Sequence, residues 1–424
     1  MQPSDSSVRD RPALLVLATL VLGYGAFYLC RANVDAALPL LRRDFGYTKT
    51  QLGTLSSIPI AVYAVGKVVM GALGDVVGGK RLMLLCGAGS VLATFAFGAS
   101  SSLVAFAFFA SLNRFFQAGG WSGAVHVVAR RFERPRHGLV MGVLSTSYEL
   151  GNVLAMLLCG ALAGALSGWR PLFIVNPAIF AGVGVVVAAL LPPTPPSAPR
   201  DASRAPAEGE PDDGETLARV LAGLVRQPAL WLTVALSVLL TFLRVGFLTW
   251  TPMYLSELSR DGQAQAAVSG AIVKSAIFPA AGVVAALSVG VLSDRFGRGR
   301  RAPVMAASLA VVVGLVVLLA HGPVRSQLGA ALLIGGVGLF LLGPYSLLAG
   351  AMALDVSGKH GAATAAGLID GAGYLGASAA GVLLGTVADR WGWPAAFDVV
   401  AAAAFAAMAI AAGWSLSALR RVQA

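Results

Sequence analysis

Long apolar segments separated by short polar stretches repeat along the chain from residue 12 onward. Most are about 20 residues long, the length that an α-helix needs to cross roughly 30 Å of hydrocarbon. Twelve such helices are predicted, at residues 12–40, 53–77, 81–99, 102–127, 138–163, 171–191, 228–256, 266–292, 302–321, 327–350, 361–386 and 394–416. The pattern therefore predicts an all-α integral membrane protein with twelve transmembrane helices.

One segment interrupts this pattern with a composition that cannot build a packed core. Residues 192–215 read PPTPPSAPRDASRAPAEGEPDDGE, and such proline-rich, charged stretches are typical of linkers. The chain is accordingly predicted to form an N-terminal six-helix bundle at residues 1–191, a linker at residues 192–227 and a C-terminal six-helix bundle at residues 228–424.

Two short motifs occur once in each predicted bundle. GALGDVVGGKR at residues 71–81 is echoed by GVLSDRFGRGR at residues 290–300, and GWRPLF at residues 168–173 by GWPAAF at residues 392–397. The offsets are 219 and 224 residues, so the halves are predicted to be copies of one unit. A pseudo-symmetric pair of bundles with a site at their interface is the arrangement of many transporters.

Composition supports this class, and charge orients the chain. Hydrophobic residues make up 57% and charged residues 12% of the sequence, with a mean hydropathy of +0.77, too apolar for a soluble domain. With the N-terminus inside, nineteen Lys and Arg fall in inner segments and seven in outer loops. Because positively charged loops stay in the cytoplasm, both termini and the linker are predicted to be cytoplasmic in the cell (inner) membrane. The net charge of +11 then reflects topology and attraction to anionic lipid rather than nucleic-acid binding.

The sequence lacks the motifs of other functional classes. Cys30, Cys86 and Cys159 lie in apolar segments without disulfide or metal-ligand spacing, and we interpret them as small buried hydrophobic residues. No nucleophile elbow, HExxH or GxxxxGK[ST] sequence occurs. We therefore predict no enzymatic activity, no cofactor and no metal site.

Four cations lie inside predicted helices at matching positions of the two halves. Arg31 lies in GYGAFYLCRANV and Arg244 in LLTFLRVGFLTW, and Lys67 and Lys274 lie in the segment after each. A cation buried in lipid is costly unless something pairs with it. Convergence of these cations on one region therefore indicates an anionic ligand.

The residues around these cations suit a phosphoryl group. Tyr24, Tyr28 and Arg31 are spaced by four and three residues and share one helix face, as do Tyr63 and Lys67. Such faces place hydroxyl donors next to a cation, and an arginine fork can hold two oxygens of a phosphate. Two forks facing each other across the interface would let an anion draw both halves together.

Two carboxylates, Glu149 and Asp370, are also predicted to lie within the membrane. Either they carry protons, as intramembrane carboxylates do in pumps and transporters, or they pair with the cations of an empty basic cavity. Tyr148, beside Glu149, is a further candidate for the cavity. Counting predicted membrane charges gives an excess of three cations, close to what a phosphate ester with a charge of about −2 would neutralise. The cations counted are Arg31, Lys67, Arg114, Arg244 and Lys274.

The repeated loop motif resembles that of the major facilitator superfamily, and NRFFQAGGWSGA at residues 113–124 is similar to the family's fourth-helix motif. The resemblance implies that family's fold of two pseudo-symmetric six-helix bundles. It also implies gating loops, in which an aspartate and basic residues can form a charge clasp between cytoplasmic helix ends. The matching residues are Gly71, Asp75, Lys80 and Arg81, and in the second copy Gly290, Asp294, Arg295 and Arg298.

Within that superfamily the chain resembles the organophosphate:phosphate antiporters, which include glycerol-3-phosphate and sugar-phosphate exchangers. The matching stretches include GYGAFYLCRANV, AVGKVVMGALGD, LRVGFLTWTPMYL and GAATAAGLIDGAGYLGA. The resemblance implies that Arg31 and Arg244 flank the substrate phosphate and that Lys67 lies near the same cavity.

The chain departs from the bacterial pattern of that family at four positions. A lysine after the first-helix arginine and a fifth-helix histidine are replaced, and acids of the seventh and eighth helices are lost; the residues here are Ala32, Tyr148, Thr249 and Lys274. These changes make phosphate-ester specificity less secure than anion specificity.

The expected function is alternating-access exchange of a phosphorylated small organic anion, a glycerol phosphate or sugar phosphate, for inorganic phosphate by a monomer. One alternative is proton-coupled transport of an organic carboxylate, sugar acid or phosphonate. A further alternative is a transporter-like sensor of a phosphate ester.

Overall fold

The computed structural model describes residues 6–133, 136–193, 222–259, 264–296, 301–348 and 352–423. Across these ranges the backbone is helical with short connections and no strand. The helices are α1 (Ser6–Ala26), α2 (Ala32–Phe45), α3 (Lys49–Val77), α4 (Gly79–Ala99), α5 (Leu103–Arg131), α6 (His137–Ala165), α7 (Val175–Leu190), α8 (Pro228–Glu257), α9 (Gln265–Ser275), α10 (Ile277–Phe296), α11 (Arg301–His321), α12 (Gln327–Leu347) and α13 (Ala353–Gln423). Of the predicted linker, residues 194–221 lie outside the described residues.

Ten stretches of the described chain are long and apolar enough to cross a membrane. One of them, Ala365–Ser415, spans 51 residues and covers two of the predicted helices. The predicted helix at 102–127 corresponds to α5, whose 29 residues are long enough to cross but include several polar side chains. The predicted all-α transmembrane architecture is confirmed.

The repeated Gly-Trp motif makes a similar turn in both halves. Gly168 has a φ of 96° and Gly392 a φ of 82°, left-handed values that suit glycine because it lacks a Cβ. The tryptophan after each glycine joins an aromatic cluster: Trp169 lies 5.3 Å from Phe106, and Trp393 lies 5.4 Å from Tyr254, between ring centroids. The positive φ at Gly392 lies within α13, between the two predicted helices that it contains.

The first predicted membrane helix is broken where it carries its arginine. A 3-10 turn at Phe27–Cys30 separates α1 from α2, and the Arg31 N–H bonds to the Tyr28 carbonyl at 3.1 Å instead of continuing the α-helical pattern. Broken helices inside a membrane need other partners for the freed backbone groups. The break was not predicted from the sequence.

Side chains of neighbouring helices supply those partners. From α5, Asn113 donates to the Cys30 carbonyl at 2.7 Å and Gln117 to the Phe27 carbonyl at 3.3 Å. From α7, Asn176 donates to the Leu29 carbonyl at 3.1 Å, and from α5 Arg114 reaches the Arg31 carbonyl at 3.4 Å. The polar residues of the fourth-helix motif therefore hold the segment that presents Arg31.

Hydrogen bonds and ion pairs define the two ends of the bundle. At the linker end, Lys80 donates to the Ala188 carbonyl at 2.7 Å within the first half. At the opposite end, called the far end below, Lys49 at the start of α3 lies 3.1 Å from Glu257 at the end of α8. Polar contacts join the two halves in the middle of the helices and at the far end. The structure is therefore closed at the far end.

Candidate anion-binding site

A row of tyrosine rings connects Arg31 with Arg244 at the interface of the two halves. The guanidinium carbon of Arg31 lies 5.2 Å from the Tyr28 ring centroid and 4.5 Å from that of Tyr63. The guanidinium carbon of Arg244, near the middle of α8, lies 5.5 Å from the Tyr148 ring centroid. The rings of Tyr28 and Tyr148 are 6.4 Å apart. Both arginines thus lie against aromatic faces, which attract cations.

Arg244 is paired with Glu149 of the opposite half. Arg244 Nη2 lies 3.1 Å from Glu149 Oε1, and each side chain is only 4% exposed. Arg244 Nε and Glu149 Oε2 are buried without a hydrogen-bond partner among the described residues. The ring of Tyr345 covers the guanidinium at 5.1 Å. The pair is therefore joined by one hydrogen bond, with one donor and one acceptor unused.

A second ion pair crosses the interface between α3 and α13. Lys67 bonds to Asp370, and the ammonium nitrogen lies 5.5 Å from the Tyr63 ring centroid and 4.8 Å from that of Tyr374. The Tyr63 and Tyr374 rings meet edge to face at 5.0 Å. Both carboxylates that the sequence places in the membrane thus pair with a cation of the other half.

Arg31 differs from the other two cations because no carboxylate of the described chain lies within 4.0 Å of its guanidinium. Asp35, one turn later, instead lies 4.0 Å from Arg114 and is buried. Spacing of one helical turn would allow Asp35 to pair with Arg31, but the packing of α2 against α5 places it at Arg114 instead. The cluster therefore carries one net positive charge rather than three. It comprises the cations Arg31, Lys67, Arg114 and Arg244 and the carboxylates Asp35, Glu149 and Asp370.

Two predicted substrate-binding residues lie at or beyond the edge of this cluster. The Tyr24 ring is 6.0 Å from Tyr28 and 5.0 Å from Trp121, so it extends the tyrosine row. Lys274, on α9, donates to the side chain of Gln327 at 2.8 Å. Its role in substrate binding stays a prediction.

Known proteins resemble the chain over most of its length. The sequence profile of the family described as Major Facilitator Superfamily matches residues 20–381. This chain belongs to the major facilitator superfamily. A probable hexose phosphate transport protein of Chlamydia pneumoniae is 29% identical over 93% of the chain and 89% of the relative. The glycerol-3-phosphate transporter of Bacillus subtilis is 26% identical, covering 91% and 88%, and the membrane sensor protein UhpC of Salmonella typhimurium is 30% identical, covering 78% and 76%. The resemblance to the organophosphate:phosphate antiporter family is confirmed.

Solved structures of the superfamily share the fold. A bacterial homolog of the human lysosomal transporter Spinster, in an inward-facing and unoccupied conformation, superposes with a TM-score of 0.80 at 15% identity, covering 95% of this chain and 96% of that one. The nucleoside transporter NupG superposes with a TM-score of 0.71 at 14% identity, covering 93% and 98%. At such identities the likeness shows the fold alone. The sequence relatives named above as transport proteins agree with the prediction that the chain is not an enzyme.

The superfamily's gating loops are described only in part. Gly71 lies near the end of α3, Lys80 bonds to the Ala188 carbonyl, and Arg81 is exposed on α4. Gly290 lies in α10. Helices also contain Asp75, Asp294 and Arg295, whose side chains are not among those described, and Arg298 falls outside the described residues altogether. The predicted charge clasp at the linker end stays a prediction.

A cluster of charges at the far end was missed by sequence reasoning. Glu257 bonds to Arg42 and lies 3.1 Å from Lys49, and it accepts a hydrogen bond from Trp393 Nε1 at 2.6 Å. Asp389 accepts from the backbone N–H of Lys49 at 3.0 Å. In sequence these residues look like solvated loop charges; only the packing of the halves brings them together. We call the Glu257 contacts the far-end clasp.

Proposed function

We propose that this superfamily member exchanges a phosphorylated small organic anion, such as glycerol phosphate or a sugar phosphate, for inorganic phosphate by alternating access. The phosphate would bind between Arg31 and Arg244, with hydroxyl groups of the tyrosine row and Lys67 nearby. The relatives named as transporters of hexose phosphate and glycerol-3-phosphate support this substrate class.

The position of the two arginines on opposite halves is the main support for the proposal. Arg31 comes from the first half and Arg244 from the second, and tyrosine rings connect them across the interface. An anion bound to both would stabilise contacts between halves, and only a ligand that interacts differently with two states can shift their equilibrium. Arg31, with no carboxylate partner in the described chain, is the natural first contact for an incoming phosphate.

The proposed setting is the inner membrane, with both termini inside. Under the charge asymmetry of the loops, the linker end faces the cytoplasm, and closure of the far end makes this an inward-facing state. We propose a monomer in which residues 1–191 and 228–424 form the two bundles, with a cytoplasmic linker at residues 192–227.

Counterflow tests the proposal. Purified protein in liposomes loaded with inorganic phosphate should take up labelled phosphate, and uptake should be inhibited by the phosphate esters that it carries. Competition by a panel of esters, phosphonates and carboxylates names the substrate class. Failure of intact protein to exchange phosphate would overturn the exchange reaction.

Proton-coupled transport of another anion is the second candidate, and the buried carboxylate Glu149 favours it. Collapsing the pH gradient across the liposome separates the two mechanisms. Strict anion exchange continues without the gradient, whereas accumulation by a proton-coupled carrier stops.

A sensor is the third candidate because a relative at 30% identity is named as a membrane sensor protein. A sensor would bind a phosphate ester tightly without catalysing counterflow. The same liposomes therefore distinguish it from an exchanger.

A further inference from the structure

The Arg244 guanidinium, one of the two groups proposed to bind phosphate, is already held by a carboxylate of this chain. Glu149 Oε1 accepts from Arg244 Nη2 at 3.1 Å across the interface of the halves. Both groups are almost fully buried, yet Arg244 Nε and Glu149 Oε2 find no partner in the described structure. A phosphate replacing Glu149 could use both kinds of donor on the guanidinium, because its oxygens match the arginine fork.

The charged and polar groups around Glu149 determine how readily a phosphate can replace it at Arg244. On α10 its neighbour is Gly282, where an added Cβ would lie 3.4 Å from the Glu149 carboxyl carbon, and a glycine offers neither a charge nor a hydrogen-bonding side chain. Positive charge comes from Arg244 on α8 and from Arg31 before α2, and a phenol group comes from Tyr148 on its own helix. Tyr345 of α12 covers the Arg244 guanidinium itself.

The net charge of the cluster limits how a phosphate dianion can bind. The cluster carries one net positive charge when all three carboxylates are ionised. A phosphate monoester carries a charge of about −2 above its second pKa of about 6, which would leave one excess negative charge in a cavity of low polarity. One proton on a carboxylate restores neutrality. Asp35 remains on Arg114 and Asp370 on Lys67, whereas Glu149 loses its partner to the phosphate.

We propose that Glu149 is a specificity-determining residue that competes with the substrate's phosphate for Arg244 and takes up a proton when the phosphate displaces it. The inference rests on the proposed function, since it needs phosphate to bind at Arg244. It makes binding of a dianionic phosphate proton-linked. In the empty carrier Glu149 neutralises Arg244, so an anion that competes only weakly with Glu149 for Arg244 does not bind.

Calorimetric titration of purified full-length protein with methyl phosphate and with inorganic phosphate tests this directly. Repeating the titration at pH 7.5 in buffers of different ionisation enthalpy counts the protons taken up. The wild type is expected to take up about one proton per dianion bound, and its Kd to rise up to tenfold per pH unit above that pH. Glu149→Gln should take up none, bind at least tenfold more tightly, and show a Kd that does not change with pH. Glu133→Gln, an exposed residue after α5, is the matched control and should behave as the wild type.

The outcomes separate this inference from the proposed function. If the wild type binds neither phosphate, the proposed function fails. If it binds them without proton uptake, or if Glu149→Gln still takes up a proton, the phosphate enters without involving Glu149 and this inference is overturned. Because the wild-type proton count stands alone, the inference stays testable even if Glu149→Gln does not fold. Glu149→Asp, which keeps the charge on a shorter side chain, should retain proton uptake while binding phosphate more tightly than the wild type.

Discussion

The far-end clasp should bias the empty carrier toward closure at that end. Replacing Glu257 by Gln removes two ion pairs, to Arg42 and Lys49, while the amide oxygen can still accept from Trp393. Glu257 is 31% exposed and its partners are 38% and 9% exposed, so solvent screens the pairs and each contributes about 0.2–1 kcal/mol. The variant should therefore shift the closed-to-open equilibrium by about 0.5–2 kcal/mol, or roughly 2–30-fold.

Spin-label distances across the far end measure that shift. Arg170 in the first half and Arg390 in the second are exposed there, and each can be replaced by a labelled cysteine after the native thiols are removed. Those thiols are Cys30, Cys86 and Cys159. The Glu257→Gln protein should show a larger population of long distances. Added salt should reduce its difference from the parent, because exposed ion pairs are screened.

The matched control is Asp398→Asn, which removes the contact with His321 at 2.8 Å inside the second half only. It should leave the distance distribution unchanged. An unchanged distribution in Glu257→Gln, or an equal change in both variants, would refute the clasp as a determinant of conformation.

Two further predictions concern packing. Gly53→Ala would place a Cβ 2.3 Å from the Gly381 carbonyl oxygen across the interface, so it should favour opening of the far end and destabilise the closed state by about 1–3 kcal/mol. The same distance measurement and thermal unfolding check this against Gly142→Ala, where the added Cβ meets open space. Equal behaviour of the two variants would contradict the prediction. Asn113→Ala removes the 2.7 Å hydrogen bond to the Cys30 carbonyl and should lower stability by about 1–3 kcal/mol, seen as a lower melting temperature in detergent; an unchanged melting temperature would show that the broken helix does not need this donor.

The membrane architecture and the identity of the central cations could be predicted because they depend on local pattern. Helix length follows from apolar runs, and Arg31 and Arg244 stand out as charges inside such runs. The spacing of Tyr28 and Arg31 places them together without knowledge of the fold, since positions three and four apart share a helix face.

The pairing of charges could not be predicted, because periodicity says nothing about register between helices. Glu149 meets Arg244 while Lys274 meets Gln327, although sequence allowed Lys274 either carboxylate. The 3-10 turn before Arg31 likewise depends on donors from α5 and α7, which are distant in sequence.

One phosphate is proposed to bind to Arg31 and Arg244 together. Equilibrium binding of labelled inorganic phosphate to purified protein tests it most directly, with Arg31→Ala, Arg244→Ala and, as control, Arg390→Ala at an exposed position. Losing a charge-assisted hydrogen bond of about 1.5–3 kcal/mol weakens binding roughly tenfold or more, so both cavity variants should lose at least that much and the control nothing. Wild-type affinity in either cavity variant, with the protein folded, would contradict the claim.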